Sequence, residues 1–327
     1  MKENPILSII IPSYNVSKYV DECLPTFIDE RFRGLLKIYL IDDGATDDTK
    51  EKIAPYVAKY PYIFEFIHKE NGGHGSVINY GVKNCVKSKY FKVIDGDDWV
   101  DKNELFKLIK FLEKTDSDLI VCDYTEVYSG RENIRKICKK DVDHNDSLNN
   151  LVLTIHSVTF KSDIFQSNNI VLREHVFFED NEYILFPLRY VKKVTYLPLN
   201  VYQYRLGTAT QSVTTESRIK RFSHLEAVEG DLMKEYLDIK TKEPNNSALI
   251  QFENSLFYFF INDYIYYLTI STNKKEFMNH FKELNDRKSL FASIYKKLNY
   301  NKKFIIFKFI KVLPFSFVKK HLSGRFS

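Results

Sequence analysis

The carboxylates that follow an apolar run at Tyr90–Ile94 are the residues of this sequence best suited to chemistry. The run leads directly into Asp95, Gly96, Asp97 and Asp98. Carboxylates this close repel one another unless water surrounds them or a cation lies between them. Mg²⁺ and Mn²⁺ take oxygen ligands, often one or two carboxylates together with substrate phosphates, and glycine lets a ligand approach the backbone. The segment indicates a binding site for a metal ion and a diphosphate, and a solvated acidic turn is the alternative.

Three further polar clusters each follow an apolar run of strand length. The runs are Leu7–Ile11, Lys37–Ile41 and Ile63–His68, and sequences of helical spacing separate them. This alternation predicts an α/β fold, with a mostly parallel sheet and helices on both faces. Ligands of such sheets bind at the carboxyl ends of the strands. The clusters at residues 12–15, 42–47, 71–76 and 95–98 therefore predict one site at one edge of the sheet.

A dinucleotide-binding fold is the natural rival, and it requires a G-x-G-x-x-G segment after the first strand. The first loop is Pro12–Asn15, which contains no glycine. The glycine-rich segment at residues 71–76 follows the third strand and lacks the lysine of a P-loop. Neither phosphate-binding pattern fits.

Five segments together resemble the family 2 glycosyltransferases of the GT-A fold. They are SIIIPSYN, IDDGATDDT, NGGHGSVINYG, DGDDWVD and FFEDNEY, and the resemblance covers roughly residues 5–215. It implies transfer of a sugar from a nucleotide diphosphate, usually with inversion and with a Mn²⁺ or Mg²⁺ ion.

The resemblance also implies residue roles. Pro12 and Tyr14 match positions that meet the nucleobase, and Asp43 matches the carboxylate that reads the uracil edge. Asp95 matches the residue near the ribose and the metal, and Asp97 the direct metal ligand. The remaining positions expected to bind the nucleotide sugar are Asn15, Asn71, Gly75, Asn79, Gly96 and Arg205.

The third cluster departs from the family pattern. Many relatives carry Arg or Lys near the segment that reads His74–Asn79 in this chain. Helix N-terminal amides and Ser76 are alternative phosphate contacts. Two alternatives stay open, namely that His74 is a loop histidine without a ligand and that Asn79 is a buried structural amide. Arg205 is expected to contact the diphosphate, or else to be an exposed cation at a strand end.

The segment FFEDNEY supplies the second chemical cluster. By resemblance, Asp180 is the general base that takes the proton of the acceptor hydroxyl, and Glu179 supports it. An acidic pair that merely stabilises a helix N-terminus is the alternative. His156 is expected to be a core histidine, with acceptor contact as the second interpretation.

Composition divides the chain into an acidic body and a basic tail. The chain has 327 residues and a net charge of +5, but the segment after Asp286 contains eleven Lys and Arg and no acid, which leaves −6 for the first 286 residues. We expect a catalytic domain at 1–215, with a nucleotide-sugar half at 1–101 and an acceptor half at 102–215. A helical region with a basic amphipathic tail is expected at 216–327.

The tail at residues 299–327 mixes bulky apolar and basic residues, which is typical of contact with anionic membrane surfaces. A helix that packs on the helical region is the alternative. The acidic body argues against nucleic acid as a partner. Four scattered cysteines indicate neither disulfides nor zinc and fit a reducing cytoplasm, and no signal peptide or membrane-spanning helix is expected.

The sequence thus predicts a cytoplasmic inverting glycosyltransferase, peripheral at the inner face of the cell membrane. Its expected donor is a UDP-sugar, and its expected acceptor is a lipid-linked saccharide, as in capsule or exopolysaccharide assembly. A nucleotidyltransferase and a non-catalytic nucleotide-sugar-binding or scaffold protein are the alternatives.

Overall fold

A computed structural model describes residues 5–129, 131–140, 147–207, 220–301 and 314–323 of the chain. The chain divides into two compact units, Met1–Ala209 and Thr210–Ser327. The predicted domain boundary after residue 215 lies outside the described residues.

The first unit contains a mixed sheet that has nine strands among the described residues. The order across the sheet is β3-β2-β1-β4-β8-β6-β9-β5, and β7 pairs with β6. In chain order the strands are β1 Leu7–Pro12, β2 Leu36–Asp42, β3 Phe64–His68, β4 Tyr90–Val93, β5 Trp99–Val100, β6 Leu119–Tyr128, β7 Ile134–Lys136, β8 Val158–Lys161 and β9 Val194–Leu206.

The strands β1 to β4 form the parallel part of the sheet. β1 pairs in parallel with β2 and β4, and β2 pairs in parallel with β3. Leu7, Ile9, Ile10 and Ile11 are fully buried in β1, as expected for an apolar run covered on both faces. The predicted α/β architecture is confirmed, and the four polar clusters all follow carboxyl ends of these strands.

The rest of the sheet is mixed, so the prediction of a mostly parallel sheet applies to the first half alone. β8 runs antiparallel to β4 and β6, and β5 runs antiparallel to β9. The sequence around Pro198 predicts two short strands, but the structure has one strand there, β9. The register with β6 shifts between Cys122 and Asp123, and the resulting bulge accommodates a proline that cannot donate to the ladder.

Six α-helices lie among the described residues of this unit. The sequence has helical spacing over residues 16–28, but the α-helix there is short and continues as a 3₁₀ turn, Leu24–Phe27, which contains Pro25. The sequence also predicts a helix over residues 77–86, and the observed helix begins earlier, at His74, and continues as a π-turn, Gly81–Cys85. The helices are α1 Val20–Cys23, α2 Thr49–Lys59, α3 His74–Tyr80, α4 Lys102–Leu112, α5 Ser162–Ser167 and α6 Asp180–Leu185.

The described part of the second unit is helical. A stripe of fully buried side chains at four-residue spacing, Phe252, Leu256, Phe260, Tyr264 and Leu268, runs along its longest helix and forms the core of the unit. The helices are α7 Phe222–Lys242, α8 Ala248–Ile270, α9 Lys274–Asp286, α10 Ala292–Tyr300 and α11 Phe315–Ser323. Of the helices described, none is both long and apolar enough to traverse a bilayer.

The described end of the basic tail packs within the second unit. The Phe315 ring lies 6.3 Å from the Phe277 ring, and Lys319 Nζ donates a hydrogen bond of 2.8 Å to the Ser271 carbonyl. Residues 302–313 and 324–327 of the tail lie outside the described residues.

Candidate active site

The loop between β4 and β5 carries the three carboxylates, and β9 anchors one of them. Asp98 is buried, and its carboxylate accepts hydrogen bonds from the Tyr202 hydroxyl at 2.6 Å and from the Arg205 backbone amide at 2.7 Å. The Tyr202 hydroxyl in turn accepts from the Asp95 amide at 3.1 Å. Tyr202 therefore fixes both ends of the carboxylate loop.

Charge repulsion and burial act together on this loop. Burial and the Asp95 charge raise the pKa of Asp97 to about 6. Burial, followed by the charges of Asp95 and Asp97, raises the pKa of Asp98 well above its usual value. Burial is the largest single influence on Asp95 and opposes its ionisation, but the hydrogen bond and charge of His74, together with smaller contributions from His156 and Tyr202, outweigh burial and lower the pKa of Asp95. A bound cation would relieve this concentration of negative charge.

The donor atoms at this loop fit a divalent cation. One ligand atom from each of Asp95, Asp98 and His156 lies within 4.8 Å of the others. Nδ1 of His156 is buried and has no hydrogen-bond partner among the residues that the structure describes, and burial lowers the pKa of His156 to about 4. The ring is neutral at pH 7, which is the form that binds metals. Asp97, the predicted direct ligand, lies on the same loop but is not one of these three groups.

The second acidic cluster begins helix α6. Burial and the neighbouring Glu179 charge raise the pKa of Asp180 to about 6. The Asp180 carboxylate accepts hydrogen bonds from the Asn181 amide at 3.0 Å and from the Asn181 side chain at 2.9 Å. Phe178, just before this pair, has φ of 77°, a conformation that bulky residues rarely adopt and that concentrates at functional sites.

His74 lies between the two acidic clusters. Its Nε2 is 3.0 Å from Asp95 Oδ1, and its Nδ1 is 2.8 Å from Glu179 Oε1. Burial disfavours the charged ring, but the hydrogen bonds to Asp95 and Glu179 outweigh it and raise the pKa of His74 well above its usual value. Because carboxylates only accept hydrogen bonds, both ring nitrogens donate, and the ring is an imidazolium.

Two residues that were expected to bind the nucleotide sugar instead contact another part of the chain. Oδ1 of Asn79 accepts from the Leu172 amide at 2.9 Å, and its Nδ2 donates to the Leu172 carbonyl at 2.9 Å. A Cβ on Gly75 would lie 2.3 Å from the Arg173 carbonyl oxygen. For Asn79 the structure fits the alternative of a structural amide, and for Gly75 it shows close packing against the chain.

Asp43 is buried in a network of internal donors. Its carboxylate accepts from Lys69 Nζ at 2.6 Å and from the amides of Gly72 and Gly73 at 3.0 and 2.8 Å. Asn71 Nδ2 donates to the Asp43 carbonyl at 2.8 Å. The second and third clusters are therefore joined through Asp43.

The first cluster meets both the second and the fourth. Asn15 has φ of 54°, which asparagine tolerates, and its Oδ1 accepts from the Thr46 amide at 2.8 Å. A Cβ on Gly96 would lie 2.7 Å from the Pro12 carbonyl oxygen, so only glycine allows this approach of the two loops. Tyr14 is 47% exposed, so its ring is accessible from solvent.

Arg205 contacts protein groups at the edge of the carboxylate loop. Its Nε donates to the Asp97 carbonyl at 2.8 Å, and its Nη2 lies 2.8 Å from Glu22 Oε2. The guanidinium carbon lies 5.0 Å from the Tyr19 ring centre and 4.6 Å from the Trp99 ring centre. The contacts that hold Arg205, the predicted phosphate contact, beside the loop thus include an ion pair, a hydrogen bond and two aromatic rings.

Sequence reasoning missed three residues of this site. His74 was read as a phosphate contact or a loop residue, and nothing local reveals its two carboxylate partners. Tyr202 carries no motif. Lys69, which also donates to Ser76 Oγ at 2.8 Å, could have been found as the cation that lies just before the glycine-rich cluster.

The mixed sheet, with its carboxylate loop between β4 and β5, defines a glycosyltransferase of the GT-A class. The sequence profile described as Glycosyl transferase family 2 matches residues 8–177, just over half of the chain, and the chain belongs to this family. The resemblance stated from the motifs is confirmed, and the family sets aside the nucleotidyltransferase alternative.

A curated relative and two solved structures are similar to the chain. An uncharacterized glycosyltransferase of Mycoplasma pneumoniae, the MG060 homolog, is 29% identical over 247 residues, which are 72% of this chain and 79% of that protein. S. aureus TarS 1–349 in complex with UDP-GlcNAc gives a TM-score of 0.64 at 14% identity, covering 97% of this chain and 90% of that TarS 1–349 chain. Mannosyltransferase PcManGT from Pyrobaculum calidifontis, with GDP-Man and Mn²⁺, gives 0.54 at 12% identity, covering 98% and 87%.

At these identities the two solved structures show the fold alone. The covered share of the curated relatives' own length ranges from 79% down to 18%. What those proteins bind or transfer is therefore a statement about them and not about this chain.

Proposed function

We propose that the chain transfers a sugar from a UDP-sugar to a hydroxyl of a saccharide acceptor, with inversion and with Mn²⁺ or Mg²⁺. The observation that carries the proposal is the convergence on His74 of the Asp95 loop and the Glu179–Asp180 pair. One cluster suits a metal and a diphosphate, and the other suits an acceptor hydroxyl. An inverting displacement needs both, one on each side of the sugar.

The carboxylate loop is assigned to the donor. Asp95 and Asp97 would hold the ion, with Asp98 and His156 close to Asp95. The ion, when bound, offsets the charge that builds on the departing diphosphate. Tyr202 keeps the loop in shape through its bonds to Asp98 and the Asp95 amide.

The nucleobase side is assigned to the first two clusters. The exposed Tyr14 ring offers a surface for the base, and Pro12 offers its backbone. Asp43 is the candidate for the uracil edge, as the resemblance implies. Its network with Lys69 and the glycine amides means that a base has to share or replace one of these donors. Asn15 and Asn71 support this side of the site by tying its loops together.

Asp180 is assigned the role of general base. A carboxylate with a pKa of about 6 is ionised at pH 7 and yet more basic than an ordinary aspartate, which suits proton removal from a hydroxyl. Asp180 accepts the proton of the acceptor hydroxyl as the oxygen attacks the sugar carbon, and the bond to the diphosphate breaks on the opposite side.

The identities of the donor nucleotide and of the acceptor are separate proposals, which rest on the family resemblance and on the composition of the tail. The TarS structure contains UDP-GlcNAc and the PcManGT structure contains GDP-Man, so the fold accepts more than one nucleotide. We propose a uridine donor because Asp43 matches the uracil-reading position. We further propose a lipid-linked saccharide acceptor at the inner face of the membrane, in cell-surface polysaccharide synthesis, because the tail combines apolar and basic residues.

The chemistry is tested by measuring nucleotide diphosphate release from a panel of UDP-, GDP- and dTDP-sugars, with Mn²⁺ or with EDTA. Asp97→Asn is expected to abolish the metal-dependent rate. Asp180→Asn is expected to abolish transfer while UDP still binds. Asp116→Asn is the matched control, because the Asp116 side chain is exposed and pairs only with Lys89 among the described residues. Full activity of either site variant contradicts its assigned role.

The membrane part is tested separately. The chain should co-sediment with vesicles that contain anionic lipid and not with neutral vesicles, and the difference should shrink at high salt. Equal binding to both vesicle types, or none, would overturn the proposed location while leaving the transferase chemistry intact.

A further inference from the structure

The glycine-rich segment Gly72–Asn79 faces the loop Leu172–Glu179 rather than open solvent. The two segments are about a hundred residues apart in sequence, and the loop ends at the Glu179–Asp180 pair. Backbone, side-chain and steric contacts join them. Together these contacts give the segment a task other than the expected phosphate binding.

The first contact is made by Asn79, whose amide holds the start of the loop. Asn79 bonds both the amide and the carbonyl of Leu172, and its Nδ2 also donates to Glu174 Oε1 at 3.0 Å. A side-chain amide paired with a backbone peptide in this way fixes the direction of the chain as well as its position. Both N–H groups of Nδ2 are thereby engaged, so a phosphate oxygen could accept a hydrogen bond from Asn79 only by displacing one of these bonds.

The second contact lies at the middle of the loop. The His175 amide donates a hydrogen bond of 2.7 Å to the Gly72 carbonyl. Gly75 packs directly beneath the Arg173 carbonyl, at a distance that no Cβ atom could occupy. The absence of a side chain at Gly75 is therefore a requirement for the loop to come this close.

The third contact is His74 at the end of the loop. Its ring donates to Glu179 on one side and to Asp95 on the other. Glu179 is buried, and it directly precedes Asp180. A bond that fixes Glu179 also limits the positions that the Asp180 backbone can take.

We propose that Gly72–Asn79 is a clamp that positions the catalytic base, with His74, Gly75 and Asn79 as its positioning residues. The inference rests on the proposed function of Asp180 and deepens it. The clamp joins the donor loop to the base loop, so that Asp180 has a fixed place relative to a donor bound at the carboxylate loop. None of the three residues needs to touch the substrate.

Three single variants weaken the clamp at three different atoms. They are His74→Asn, Gly75→Ala and Asn79→Ala. Gly75→Ala and Asn79→Ala alter no contact of the donor loop, and they are the decisive pair, because His74→Asn also removes a partner of Asp95. The matched controls are Gly230→Ala, where a new Cβ meets nothing within 4 Å, and His68→Asn, whose 62% exposed side chain bonds Asp42.

The expected result is a loss of kcat without a loss of donor affinity. Displacement of a catalytic group by about 1 Å costs on the order of 100-fold in rate, so kcat for transfer should fall by about that factor. The Kd for UDP with Mn²⁺ and the KM for the donor should stay within a factor of about two. A merely structural role would lower the melting temperature and all of these parameters together.

Two results would overturn the proposed clamp. Wild-type kcat in Gly75→Ala and Asn79→Ala overturns the clamp, and so does a loss of UDP affinity that equals the loss of rate, since that result returns the segment to phosphate binding. If the wild-type protein transfers no sugar at all, the proposed function fails. The clamp is then judged by hydrogen exchange of the amides at 172–183, which should speed up in both variants and remain unchanged in the controls.

Discussion

The Tyr202 hydroxyl donates a hydrogen bond of 2.6 Å to the Asp98 carboxylate, from a strand that lies 104 residues further along the chain. The same oxygen accepts from the Asp95 amide. Asp98, the third acidic residue of the DGDD segment, is thus anchored to β9 through both of its carboxylate oxygens.

Tyr202→Phe is therefore expected to destabilise the catalytic unit. Loss of the hydroxyl leaves Asp98 without one donor and the Asp95 amide without its acceptor, at a cost of about 1–3 kcal/mol. Urea denaturation of the full chain measures the free energy of unfolding. Tyr190→Phe is the control, since Tyr190 is 36% exposed. Equal stabilities of the two variants would mean that Tyr202 does not anchor the loop.

The rate of transfer should depend on pH through Asp180. Its pKa is raised to about 6, and a general base acts only when deprotonated. We expect kcat to rise as the pH increases through about 6 and to level off above about 7. A pH–rate profile at saturating donor and acceptor measures this limb, and a rate that stays level down to pH of about 4.5 contradicts the assignment of Asp180.

Metal binding should stabilise the protein more at neutral than at acidic pH. The pKa of Asp97 is raised from 3.8 to about 6, so the folded state holds more protons than the unfolded state between these values. Stability from this group therefore falls as the pH rises through that window.

A cation that neutralises Asp97 removes that penalty. The rise in melting temperature on addition of Mn²⁺ should be larger at pH 7 than at pH 5. Asp97→Asn should lose most of this difference. An equal rise at both pH values in the wild-type chain is the result that speaks against a cation at Asp97.

The helical unit contains a buried ionic cluster that should be sensitive to the loss of its cation. Arg287 Nη1 lies 2.9 Å from Asp263 Oδ2 and also contacts Glu229 Oε1, and both acids are buried. Removal of one partner of a buried ionic group leaves uncompensated charge and costs roughly 3 kcal/mol.

Arg287→Met is expected to lower the urea midpoint of this unit, and Lys288→Met, at an exposed neighbouring position, should leave it unchanged. Adding Glu229→Gln and Asp263→Asn to Arg287→Met should restore most of the loss. Failure of that rescue would show that packing of the arginine stem, rather than charge, stabilises the cluster.

The sequence predicts the part of the fold that is encoded locally. β-branched runs such as Leu7–Ile11 identify the parallel strands, and the turn residues after them identify the edge at which the clusters meet. The direction of β8 and the bulge at Pro198 depend on pairings between distant strands, and no local pattern contains them.

The same distinction applies to the candidate site. Asp95 and Asp97 stand out by type and spacing, because acidic residues at the end of a strand form a short motif, while the family resemblance supplies their roles and singles out Asp180. The positions of His74 and Asn79 in the site could not be predicted, because their partners, Glu179 and Leu172, lie about a hundred residues away in the sequence. A glycine-rich segment predicts that another group approaches the backbone closely, and in this structure that group is the loop Leu172–Glu179.

The measurement that tests the central claim most directly is release of UDP from UDP-sugars by the wild-type chain with and without Mn²⁺, beside Asp97→Asn. We predict slow release with at least one UDP-sugar, dependent on Mn²⁺, absent in Asp97→Asn and unchanged in Asp116→Asn. Release that persists in EDTA or in Asp97→Asn would contradict a metal-dependent donor site at this loop. No release with any nucleotide sugar would contradict the transferase itself.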